Sequence, residues 1–139
     1  MAAFTMTDCL VIVNGVTLSD HSNEVTVEDT RAEVDFTAFG ATSIITGKGL
    51  GDANMSIKMF QDYAAGKTHA TLQPLIASTT PVTVEVRPTS AARSATNPAA
   101  VMSALMFNYN FLDGAIGDAA MTTADFKNAA AAGITYPTS

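Results

Sequence analysis

The sequence predicts a mainly β protein, an antiparallel β-sandwich or barrel of six or seven strands with one flanking α-helix. Three observations carry that expectation. Apolar residues recur with a period of two through most of the chain, and only 62–77 spaces them as a helical stripe. The 139 residues are 47% hydrophobic and 14% charged, which suits one core and leaves too little chain for two. Gly, Ala, Ser and Thr cluster in the stretches between the alternating segments, where turns and connections belong.

Taken in order, Cys9–Val13 is an apolar run stopped by Asn14-Gly15 and resumed by Val16, Thr17 and Leu18, the pattern of a hairpin with a tight turn. Glu24–Phe36 alternates twice with opposite parity. Val25 and Val27 are apolar at odd positions and Val34 and Phe36 at even ones, so a turn or bulge is expected near Asp29–Arg31. The segment 53–60 sets Ala53, Met55, Ile57 and Met59 on one face and Asn54, Ser56 and Lys58 on the other, a half-buried strand. Pro81–Arg87 repeats this with Val82, Val84 and Val86 inward and Thr83, Glu85 and Arg87 outward. A longer strand is expected over Val101–Phe111, through Leu105, Phe107, Tyr109 and Phe111. The helix is expected around 69–77 with Pro74 near its first turn, where a missing N–H does no harm.

The connection 37–52 is long for a small β domain, which makes it a candidate for contact with a partner subunit. Phe36, Phe39, Ile44, Ile45 and Leu50, in or beside it, are the candidate intersubunit contacts. Residues 1–8 and 129–139 are expected as flexible arms on the single domain 1–139.

Seven Lys+Arg against thirteen Asp+Glu give a net charge of -6, which does not suit a protein that grips nucleic acid through its phosphates. Cys9 is the one cysteine and there are two histidines, so neither a disulfide framework nor a Cys/His zinc site is expected. Cys9 itself is read as a small buried hydrophobe. Residues 1–15 lack the basic start and apolar run of a signal peptide, and no stretch reaches the roughly 18 apolar residues of a membrane span.

Gly66-Lys67-Thr68 matches the tail of a phosphate-binding loop. The glycine that would curl such a loop is replaced by Gln61, and the β/α alternation beneath it is missing, so 64–67 is read as a strand-to-helix turn. Gly47-Lys48-Gly49-Leu50-Gly51 precedes a strand and is read as a flexible loop. His21 and His69 have no metal-ligand spacing, and neither Ser90 nor Ser94 has a nucleophile-elbow setting. No catalytic residue, cofactor site or metal site is therefore predicted.

The charge is unevenly placed: Asp20, Glu24, Glu28, Asp29, Glu33 and Asp35 stand against Arg31 alone. Such a surface keeps a protein in solution, or it faces a polyanion that must pass without sticking.

An ordered series of short motifs resembles the major tail tube proteins of long-tailed, siphovirus-type bacteriophages. It comprises 13–21 (VNGVTLSDH), 35–40 (DFTAFG), 49–52 (GLGD) with the strand 55–61, 62–66 (DYAAG), 70–75 (ATLQPL), 84–90 (VEVRPTS), 94–98 (SATNP) and 112–118 (LDGAIGD), and spans about residues 10–127. Gln73 departs from the large aromatic residue expected before the Pro-Leu pair. The resemblance implies a protomer that forms rings, typically of six, whose inner strands join one multi-subunit ring β-barrel. It also implies that the rings stack into a conduit for genome ejection with no catalysis and no cofactor. The implied partners are further copies of the chain, the tape-measure protein and viral DNA passing without tight binding, and tail tip and terminator proteins. The implied location is the virion tail, assembled in the bacterial host cytoplasm. Candidate lumen-facing acidic residues are Glu24 and Glu28, or Glu33 and Asp35. The alternative is another β-sandwich phage component, a tail terminator or a head-decoration protein.

Overall fold

The computed structural model describes residues 3–139; Met1 and Ala2, part of the expected N-terminal arm, lie outside the described residues. Seven strands and one helix follow in the order β1 (Leu10–Val13), β2 (Val16–Thr17), β3 (Ser22–Asp35), β4 (Thr46–Phe60), α1 (Thr68–Ile76), β5 (Val82–Arg87), β6 (Ala100–Asn108) and β7 (Met121–Asn128). All seven strands belong to one sheet, ordered β2-β1-β5-β6-β7-β4-β3, with every neighbouring pair antiparallel. The sheet rolls on itself. Val25 and Val27 of β3, at one end of the strand order, line the same pocket as Val86 of β5 and Cys9 beside β1. Cys9 is half-buried in that seam, not buried as expected.

Inside the roll lie Val11, Val13, Met55, Ile57, Met59, Val84, Met102, Ala104, Met106, Ala124 and Phe126, closed by Leu72 and Leu75 of α1. Each large side chain buried this way stabilises the fold by roughly 1.5–3 kcal/mol. The β1–β2 hairpin turns at Asn14 and Gly15 with φ of 50° and 81°, and two consecutive positive values make the primed turn that an Asn-Gly pair favours. The inward face of β4 is the one expected, Ala53, Met55, Ile57 and Met59.

Four expectations need correction. On β6 the buried residues are Met102, Ala104 and Met106, whereas Leu105 is half-buried and Phe107 is exposed. Both faces of this strand are apolar, so alternation cannot choose between them. The interior opposite Met106 already holds Phe126, its register partner, and flexible Met102 and Met106 with small Ala104 pack around that ring. On β5, Glu85 is 7% exposed, because Arg87 and Arg93 both bond its carboxylate and lie over it. The helix starts early, so Pro74 is its seventh residue and not in its first turn. Its missing N–H removes the bond that would run back to the Ala70 carbonyl, and the helix ends two residues later at Ile76.

The fourth correction concerns the arm. Residues 37–52 are not one connection: Thr46 onward is β4, and the segment read as a flexible glycine loop is strand. Beyond Asn54, the last β4 residue paired with β7, the β3–β4 hairpin continues alone. At about 3.4 Å per residue it projects roughly 25 Å past the sheet. The parity change in β3 is also no bulge of that strand. Arg31 pairs with Gly51 and Glu33 with Lys48, so β4 holds the extra residue, at Gly49–Leu50. Apart from an extra residue at its start, Asn23, β3 alternates without interruption from Glu24 to Asp35, and its apolar side changes face. Val25 and Val27 turn to the core, while Ala32 and Val34 pack beside Gly49, and Phe36 beside Gly47, on the opposite side.

Candidate functional site

The β3–β4–β7 layer presents a polar outer face. Register places Glu24 opposite Lys58, Thr26 opposite Ser56 and Glu28 opposite Asn54, and continues onto Thr123, Asp125 and Lys127 of β7. Glu24, Thr26, Ser56, Lys58 and Thr123 line one shallow concavity on that face. Three carboxylates there meet two lysines. Of the four acidic candidates, the structure brings Glu24 and Glu28 together and separates them from Glu33 and Asp35, which share the other face of the arm. Asp35 is occupied locally: its carboxylate accepts the Thr37 N–H at 2.8 Å, and hydrogen bonding to Thr37 holds its pKa below the ordinary value. Asp125 and Lys127 were not singled out from the sequence. The signal was there in 122–127, where Thr122, Ala124 and Phe126 alternate with Thr123, Asp125 and Lys127.

Among the described residues the strand order ends at the two-residue β2 and at β3, and a further stretch of edge is open on β6. β3 hydrogen-bonds to β4 alone, which leaves its outer edge without a strand along all 14 residues. β5 pairs with β6 only as far as Ala104, so Leu105–Asn108 also has no strand on that side. Edges of this kind are templates for another chain.

The five candidate contact residues all lie on the arm and are exposed, from Ile45 at 51% and Phe36 at 62% to Phe39, which is fully open. The tip is nonetheless ordered by bonds from Phe36 N–H to the Ile45 carbonyl (2.9 Å) and from Ile45 N–H to the Thr37 hydroxyl (2.7 Å). The Phe36 ring lies over Gly47, where a Cβ would stand 2.2 Å from it. At the arm's base Asp29 accepts from Arg31 and, at 2.8 Å, from the Tyr136 hydroxyl, and these contacts lower its pKa. Residues 129–139, expected as an arm, run beside β6: Thr135 and Val101 exchange backbone bonds and Ile134 joins the core.

The opposite end carries a second apolar surface, the β6–β7 loop, with Phe111, Leu112 and Ile116 exposed. It is anchored. The Phe111 carbonyl accepts from Gln61 Nε2 (2.7 Å) and the Tyr63 hydroxyl (2.6 Å), and the Tyr63, His69 and Phe111 rings meet at 5.3–5.5 Å. Beside it His21 bridges two carboxylates, Nδ1 to Asp20 and Nε2 to Asp62, each at 2.8 Å. The bond to Asp62, then that to Asp20, raises the His21 pKa.

In the phosphate-loop-like segment the Thr68 hydroxyl is buried and donates to the Phe60 carbonyl at 3.0 Å, so it faces no ligand. Among the described residues no three His, Cys, Asp or Glu side chains gather as a metal site, and no helix is long and apolar enough to cross a membrane.

No family model and no curated protein matches this sequence. Solved structures do. A chain of the virion of a native gene transfer agent particle superposes with a TM-score of 0.74 at 11% identity, covering 97% of this chain and 99% of its own. A chain of an empty gene transfer agent tail with sixfold symmetry gives 0.73 at 12%, again over 97% and 99%. This chain shares their fold. The sheath-tube complex of an extracellular contractile injection system gives 0.70 at 10% identity, over 99% of this chain and 93% of that one. The likeness therefore covers nearly all of this chain, arm included, and nearly all of each of these neighbours.

Proposed function

We propose that this chain is a structural tail tube subunit: copies form rings, six to a ring, and the rings stack into a conduit through which a genome passes into a host cell. The observation that carries the reading is the full-length match to chains of tailed particles, one of them solved with sixfold symmetry. The free edges support it, since pairing β3 of one copy with Leu105–Asn108 of the next would join the sheets of neighbouring copies and close a ring. The polar β3–β4–β7 face then lines the lumen, with Glu24, Glu28 and Asp125 outweighing Lys58 and Lys127. On this reading Phe36, Phe39, Ile44, Ile45 and Leu50 contact neighbouring copies and the protein performs no catalysis. The tape-measure protein and DNA occupy the lumen in turn, and tip and terminator proteins close the ends. The virion tail, assembled in the bacterial cytoplasm, is its place.

Electron microscopy of the concentrated protein tests this. Long tubes with a central channel are expected. Assembly that stops at single rings would favour a terminator or head-decoration role, and a monomer at every concentration, with tail initiators added, would defeat the proposal.

A further inference from the structure

We infer that residues 3–8 form a strap that guards the free edge of β3 in the single protomer and must leave it before a neighbouring copy can pair there. The inference rests on the tube reading and adds what holds assembly in check. Side chains alternate across a strand, so Glu24 belongs to the polar outer face of β3 and Val25 to the core face. Both nevertheless line one small pocket with Asn23, and Met6 and Thr7 line it too. A pocket that touches both faces of a strand looks at that strand from its edge. It holds about 90 Å³, space for a few waters, so the segment stands close to the backbone groups that β3 leaves unpaired. An added strand would lie about 4.8 Å from β3, in the space beside Asn23–Val25 that Met6 and Thr7 now take. Phe4 and Met6 also share the seam groove with Val25, Val27 and Tyr136, which carries the strap on towards Val27.

The strap covers the edge without joining it. Among the described residues no strand or bridge forms over 3–8, and all six are exposed, Phe4 at 63% and Met6 at 52%. About 360 Å³ of the seam groove beside them stays unfilled. The strap is anchored at one end, where the Asp8 carboxylate accepts from the Ser90 hydroxyl (2.6 Å) and the Ser90 N–H (3.3 Å), so the rest can swing about that point. Residues 3–7 carry no charge, and no ion pair has to break for them to lift. Such a cover keeps a lone copy from pairing through β3, as loops over sheet edges do. It yields to a strand that offers the unpaired N–H and C=O groups a ladder of backbone bonds.

Tethering the strap in the whole chain tests this. In a Cys9→Ala background, Thr7→Cys with Asn23→Cys, and separately Met6→Cys with Val25→Cys, are joined by a short bis-thiosulfonate bridge, which tolerates geometry that a direct disulfide does not. The bridged protomer is expected to stay monomeric at concentrations where the unbridged one makes tubes, and reductant, which removes the bridge, is expected to release tube growth. Tubes that grow as readily from the bridged protomer would overturn the inference and leave the tube reading standing, and so would a protomer that neither pair can bridge. Phe4→Ser with Met6→Ser loosens the strap at exposed positions, so it is expected to keep the melting temperature and to lower severalfold the concentration at which tubes appear. An unchanged or higher concentration would also overturn the strap. Tubes from the loosened variant alone would support it and the tube reading together, whereas no assembly by any form would defeat the tube reading and the strap with it.

Discussion

His21 is held from both sides by carboxylates, Asp20 and Asp62, and both contacts favour the charged imidazolium. Its folded pKa is raised above the unfolded value of about 6.5, so its contribution to stability is complete below that value and is lost as pH rises through the folded one. The carboxylates behave in the opposite sense. Hydrogen bonds lower both, to Asp62 chiefly from the Ala64 N–H and to Asp20 from His21, so their contribution disappears as pH falls through the lowered values. The clamp is thus strongest on the acid side of neutrality. NMR titration should place the His21 midpoint above 6.5, and His21→Asn should flatten the stability profile between pH 6 and 8; a midpoint at or below 6.5 would show the clamp absent. Gly47 gives a second test at this scale. Alanine there must push the Phe36 ring aside, and because that ring is exposed and free to move, the protomer should lose under about 1 kcal/mol. The apolar stripe of the arm would be rearranged all the same, so assembly should fall while the melting temperature barely changes. The glycines also explain why this strand was hidden in the sequence. Glycine is rare in strands, and Gly47, Gly49 and Gly51 are tolerated here only because Phe36, Val34 and Arg31 reach across from β3 to cover them.

At the scale of elements, β4 beyond Ala53 and β5 were legible because one face is apolar and the other polar. β6 was not, since Val101, Leu105 and Phe107 on one side compete with Met102, Ala104 and Met106 on the other. Which side wins depends on what fills the roll, and that is Phe126 from a distant part of the chain. The assignment has a direct energetic consequence. Met106→Ala removes a buried side chain and should cost 2–5 kcal/mol, roughly, in the unfolding of the protomer, whereas Phe107→Ala should cost under about 1 kcal/mol because its ring is 61% exposed. Denaturant unfolding of the two variants in parallel checks this, and the reverse order of losses would restore the parity first read from the sequence. The switch of apolar side along β3 belongs here too. Alternation is a local signal, and an uninterrupted strand whose apolar side changes face looks the same in sequence as a strand with a bulge. Only the register against β4 separates them.

For the whole molecule, the charge placement acquires a meaning that single residues lack. The fold class could be read from periodicity, and so could the two acidic pairs, but that Asp125 joins Glu24 and Glu28 could not, because it depends on β7 pairing with β4 across the sheet. Alternation along β3 puts Glu24 and Glu28 on the face that Asp125 shares and sends Glu33 and Asp35 to the other side of the arm. A wall that conducts DNA must not bind it, since each phosphate paired with a lysine or arginine releases counterions and adds affinity, and many such contacts per ring would stall the genome. On the proposed reading that this face lines the lumen, a small excess of carboxylates on every copy, repeated around and along a tube, would make the wall repulsive at low cost to folding. Glu24→Lys with Glu28→Lys reverses that excess on an exposed surface, so the protomer should fold and tubes should form. Genome release should slow or stop, and most strongly at low ionic strength, because at 0.1 M salt charges are screened beyond about 10 Å. The measurement is the rate of DNA ejection from particles with wild-type and charge-reversed tubes across a salt series. A rate that is unchanged at the lowest salt would show either that this face does not line the lumen or that its charge does not govern transport, and tubes of the variant that retain labelled DNA on a filter would separate the two.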